Sequence, residues 1–177
     1  MALLTEAFSE FLTLAAPPRS ASVLHHVLVT EAEPSDRTPA LRAIDAALRV
    51  ARSNGLRAAV CVVDLTPSSD RSWPDDAAAR PDVWLQRRLR SADRLFHVGE
   101  SVVIVASGWS HPAEAEQLVR RVQELPTPDG TPPPVGLAVY PTHGDDADTL
   151  LDRAEASAAR ARLRRRVSDR AAEEACA

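Results

Sequence analysis

The spacing of apolar positions changes several times along this chain, and each change marks an element. Within 5–14, Ala7, Phe8, Phe11, Leu12 and Leu14 suit a short amphipathic helix that Pro17 and Pro18 end. Val23 to Val29 is a short apolar stretch, strand or helix, that carries His25 and His26, and a polar linker follows at 31–39. From Pro39 to Ser53, Leu41, Ile44, Ala47, Leu48 and Ala51 keep helical spacing, and Asn54-Gly55 stops the helix. Ala58 to Asp64 is a continuous apolar run ending in an acid, the pattern of a buried central strand. A polar loop with three prolines covers 66–82, and a short helix follows from Val83 to Leu89. Arg94 to Val98 and Ser101 to Ser107 read as two strands joined by a Gly99-Glu100 turn. Pro112 to Leu125 is a helix, 126–134 a proline-rich loop, Val135 to Tyr140 a strand, and Asp145 to about Arg166 a long amphipathic helix. Alternating strands and helices predict an α/β domain with helices over a central sheet.

Composition narrows this picture. With 177 residues, 45% of them hydrophobic, the chain fits one domain with short additions and can bury a core. Only seven residues are aromatic, so Ala, Val and Leu must fill that core. All 21 basic residues are Arg, and the net charge of −4 gives no reason to expect nucleic-acid or membrane binding. Cys61 and Cys176 suggest no disulfide framework. The first residues lack a basic region and contain Glu6 and Glu10, a poor signal peptide and too short to span a bilayer. A cytoplasmic protein is expected. The five histidines have no metal-ligand spacing, and Ser101 lacks the context of a nucleophile.

The stretch from Arg90 to Val105 carries the most information. An Arg90-x-x-Asp93 pair precedes a short strand, and Gly99-Glu100-Ser101-Val102-Val103 follows on the hairpin. This resembles the diguanylate cyclase (GGDEF) domain with its signature letters replaced. Val135 to Pro141 is similar to that family's late strand, and Ala154 to Arg162 to its last helix, with Arg162 in the place of a Lys. Asp36-Arg37 stands where the family has Asn-Arg ahead of its first helix. The likeness covers roughly 35–166. It implies an α/β GGDEF-like fold, a central mixed or antiparallel sheet flanked by helices. The expected layout is an extension at 1–33, the domain at 34–167 and a tail at 168–177.

The resemblance also implies what the site has lost. The family joins two GTP molecules with the help of two divalent cations held by an early-strand Asp and a hairpin acid. Asp64 keeps the first ligand, but Ser101 and Val102 occupy the acid positions and Glu100 replaces the second glycine beside Gly99. A hydroxyl is a poor ligand for a hard cation, and Val is none. Pro67 to Asp82 lacks the family's guanine-contacting segments. No catalytic residue, metal or cofactor is therefore expected. What survives is the Arg-x-x-Asp pattern, which in the family binds the product, cyclic di-GMP. Arg90 would offer a fork of donors to guanine, Asp93 would accept from it, and Arg121 would assist. The same spacing at Arg42–Asp45 and Arg166–Asp169 is explained by helical periodicity alone.

Two readings stay open on these residues. One is an inactive GGDEF-like protein that binds cyclic di-GMP through Arg90, Asp93 and Arg121 and acts as a regulatory module. The other is a protein-interaction module, independent of nucleotide, that uses the N-terminal segment or the arginines at 160–170. A regulatory protein partner fits either reading, and a homodimer is compatible with both. Residual cyclase activity through Asp64 and Glu100 is the remaining option.

Overall fold

The structure is a computed structural model and describes residues 36–66, 73, 80–111, 113–128 and 130–176. The expected helix at 5–14 and the apolar stretch at 23–29 lie outside the described residues. Helix α1 (Thr38–Asn54) opens with a proline in its first turn and ends at Gly55, whose N–H bonds the Ala51 carbonyl. Ala40, Ile44, Ala47, Leu48 and Ala51 form its buried stripe. Strand β1 (Arg57–Asp64) follows, then α2 (Pro81–Arg88), β2 (Arg94–Val98), β3 (Ser101–Trp109), α3 (Ala113–Gln123), β4 (Val135–Tyr140) and α4 (Ala147–Cys176).

The four strands form one sheet in the order β2-β3-β1-β4. Every pairing is antiparallel, which resolves the mixed-or-antiparallel expectation. β1 is a central strand, so both its faces are covered and its apolar run need not alternate with polar residues. Its side chains still divide by the period of two. Ala58, Val60 and Val62 join α1 and α4 on one face, while Ala59, Cys61 and Val63 meet Leu85, Trp109, Leu118 and Val122 on the other. The result is a three-layer α/β domain with a core on each side of the sheet. Trp109 fills much of the second core, since few aromatics were available to do so.

Two glycines set the geometry that positions the site. Gly99 has φ of 59°, which the first position of a tight two-residue hairpin requires, and Val98 pairs with Ser101 across the turn. Gly136 lies under α4. A Cβ there would stand 1.9 Å from the Ala154 carbonyl oxygen and 2.3 Å from the Ala158 nitrogen. Only a hydrogen at 136, with alanines at 154 and 158, lets the helix come this close to β4.

Helix α4 does not stop near Arg166 but continues to Cys176, so most of the expected tail is helical. Arg, Ala and Glu are strong helix formers. Arg165 with Asp169 and Arg170 with Glu174 add ion pairs one turn apart. Among the described residues no helix is long and apolar enough to cross a membrane.

Candidate functional site

Asp64 is the last residue of β1 and sits directly across from Ser101, the first residue of β3. The carboxylate is mostly buried, with 8% of the residue exposed. Its Oδ1 accepts the Thr66 N–H at 2.9 Å, and its Oδ2 lies 3.3 Å from Nη1 of Arg162 on α4. Arg162 reaches it because it continues the inward stripe of Leu151, Ala154 and Ala158 by one more turn. A groove of about 460 Å³ opens here between the strand ends and α4, lined in part by Asp64, Ser101, Glu155, Arg162 and Arg166.

The other hairpin positions are accounted for by the fold. Val102 is fully buried in the core beneath the sheet. Glu100 is exposed at the turn, where its carboxylate accepts from the Thr66 hydroxyl at 2.9 Å and its carbonyl from the Leu65 N–H at 3.1 Å. It borders a second hollow of about 250 Å³ with Leu65, Trp73, His97 and Gly99. A divalent cation needs several oxygen ligands, anionic ones above all. Asp64 is instead already faced by a guanidinium, its cross-strand neighbour is a serine, and Val102 points into the core. These residues do not fit the two-cation centre of the family that the sequence resembles.

The Arg90–Asp93 turn connects α2 to β2. Asp93 is 2% exposed and turned inward. Its Oδ2 accepts the backbone N–H of Arg90 at 2.9 Å, and its own N–H bonds the Arg90 carbonyl at 3.0 Å. Burial raises its pKa, against the opposing pull of that backbone hydrogen bond and of the charges of Arg121 and Arg90. Arg90 itself turns away from Asp93. Its Nη1 donates to Glu114 at 3.0 Å, and its guanidinium lies 6.0 Å from the centre of the Trp109 ring. Hydrogen bonding to Arg90 in turn lowers the Glu114 pKa. Arg121 donates from Nη1 to the Arg88 carbonyl at 3.1 Å and from Nε to the Gln117 carbonyl at 3.3 Å.

The structure thus gathers Arg90, Asp93 and Arg121 around one junction but does not pair the Arg90 and Asp93 side chains. Three atoms there are buried without a hydrogen-bond partner among the described residues: Asp93 Oδ1, Arg121 Nη2 and the Trp109 indole nitrogen. Buried polar groups are nearly always satisfied, so an acceptor and two donors left open close to one turn are unusual. Sequence reasoning did not find Glu114 or Trp109. Glu114 had a signal, because it stands in the first turn of α3 and accepts from the preceding Ser110 and His111 N–H groups, as helix-capping acids do. Trp109 had none beyond its size.

No family model matches the sequence, and no curated protein is similar to it by sequence. Solved structures are similar by fold. The GGDEF domain of TpbB (also called YfiN) from Pseudomonas aeruginosa superposes with a TM-score of 0.57 at 19% identity, over 73% of this chain and 85% of that one. A sensory box/GGDEF family protein from Caulobacter crescentus gives 0.55 at 20%, over 74% and 99%. The diguanylate cyclase SiaD of P. aeruginosa, solved in complex with its activator SiaC, gives 0.55 at 17%, over 72% and 54%. The described domain has the GGDEF fold, as the resemblance of its motifs had implied.

Proposed function

We propose that this protein is a non-catalytic GGDEF-fold regulatory domain that binds cyclic di-GMP at the α2–β2 junction. The observation that carries the reading is the set of three unpartnered polar atoms beside Arg90 and Arg121. A guanine edge offers acceptors at O6 and N7 and donors at N1 and N2, the complement of open arginine donors and a carboxylate oxygen. Releasing Arg90 from Glu114 costs little, because an exposed ion pair contributes about 0–1 kcal/mol. Asp93 contributes the free Oδ1 and a negative charge that attracts the nearby Arg121. Access to it requires the exposed Ser91-Ala92 turn to move aside.

The other end of the sheet supports the absence of turnover. The Arg162 guanidinium lies against Asp64, and neither Ser101 nor Val102 supplies a second carboxylate. A regulatory protein partner completes this reading; SiaD, another protein of this fold, was solved in complex with its activator SiaC.

The test has two arms. Incubated with GTP and Mg²⁺ or Mn²⁺, the protein forms no cyclic di-GMP. Ligand in hundredfold excess over its dissociation constant stabilises the wild type by about 2.7 kcal/mol, read as a rise in melting temperature. Arg90→Ala and Arg121→Ala lose that rise. Product from GTP refutes the first arm, and an unmoved wild-type melt refutes the second.

A further inference from the structure

We infer that the N-terminal segment of this chain, through its acidic and apolar stretch at 5–14, covers the exposed face of the distal half of α4. The thirty residues of α4 span about 45 Å at 1.5 Å per residue. The sheet uses only the first half, and the buried positions end at Ala158. Beyond it, Leu163 and Val167 form a row one turn apart that is 61% and 70% exposed. Arg160, Arg164 and Arg166 flank this row, and Arg170 at its far end is already paired with Glu174. Apolar side chains bordered mainly by arginines suit an acidic amphipathic occupant.

The direction of the chain supplies that occupant. At the end of α1, Arg52 donates to the carbonyl of Asp145, just ahead of α4. At the start of α1, Arg37 pairs with Asp152 at 2.7 Å and Glu155 at 3.4 Å. The two helices therefore run in opposite senses. Followed backwards out of α1, the chain leaves beside Glu155, pointed towards Leu163 and Val167. Those two positions are eight and twelve residues further along α4, about 12 and 18 Å. The stretch 15–35 can span that distance several times over at about 3.3 Å per extended residue. Up to residue 35 the chain carries Glu6, Glu10, Glu31 and Glu33 against Arg19 alone. Its Phe8, Phe11 and Leu12 match the apolar row. A second copy of α4 would instead bring one arginine-rich face against another.

Hydrogen exchange on the full chain decides the matter. A projecting helix end frays and exchanges fast unless it is covered. In the wild type the amides of 160–170 are protected, independently of protein concentration. The double variant Phe8→Asp/Phe11→Asp exchanges there about tenfold faster, with β1 amides unchanged as the folding control. The reciprocal Leu163→Glu/Val167→Glu variant loses protection at 5–14. Equal exchange at 160–170 in wild type and the first variant overturns the inference. So does protection that grows with concentration, which assigns the face to a second copy.

Discussion

Replacing Arg162 by Met keeps the aliphatic bulk of the side chain and removes only the cation that faces Asp64. The two side chains are 35% and 10% exposed, and their charged atoms lie 3.3 Å apart. Breaking a fully buried pair from one side costs about 3–5 kcal/mol, because the remaining charge stays desolvated. An exposed pair is worth about 0–1 kcal/mol. Asp64 sits near the buried limit and keeps one hydrogen bond, from the Thr66 N–H, while Arg162 is one-third in solvent. The expected loss is about 2 kcal/mol, or about 7 °C in melting temperature for a domain of this size. Asp64→Asn removes the charge that needs the cation, so adding Arg162→Met to it costs much less, with a coupling of about 1.5 kcal/mol. Urea denaturation of the four proteins in the cycle measures this. Strictly additive losses would refute the pairing. Stabilisation of Arg162→Met by Mn²⁺ would refute the argument that the remaining ligands cannot hold a cation.

Three further outcomes follow from the same geometry. Gly136→Ala drives a Cβ into the backbone of α4, so the variant loses about 3 kcal/mol or more in thermal unfolding or fails to fold. Burial raises the pKa of Asp93 above its ordinary 3.8, so the folded state holds a proton that the unfolded state has released. Its contribution to stability therefore falls as pH rises from 3.8 through the folded value. Asp93→Asn flattens that part of the profile, and unfolding free energies measured from pH 3.5 to 6 check it. Complete burial pushes the Cys61 thiol up to about 12, so at pH 8 an alkylating reagent modifies Cys61 only after denaturant unfolds the domain.

Strand positions were legible in the sequence because the two kinds of signal agreed. β2 and β4 begin and end where the apolar alternation and the Gly99-Glu100 turn placed them. The end of α4 was not legible, since the stripe facing the sheet runs out near Arg162 while the helix continues on intrinsic propensity and ion pairs. The functional residues divide in the same way. Asp64 and Arg162 could each be placed by pattern, but their contact depends on how closely α4 approaches β4, which Gly136, Ala154 and Ala158 set together. Arg90 and Asp93 share the turn ahead of β2. Their side chains nevertheless diverge, because a short acid two residues beyond Ser91 bonds most readily to the backbone of its own turn. Glu114, far away in sequence, is then the carboxylate left for Arg90.

Calorimetric titration of cyclic di-GMP into the protein, in buffer without divalent cations, tests the central claim most directly. The account predicts saturable binding in the micromolar range or tighter, unchanged by Asp64→Asn and abolished by Arg90→Ala. A titration of the wild type that shows no binding would contradict it. The open atoms at the α2–β2 junction would then have to be satisfied by some other group.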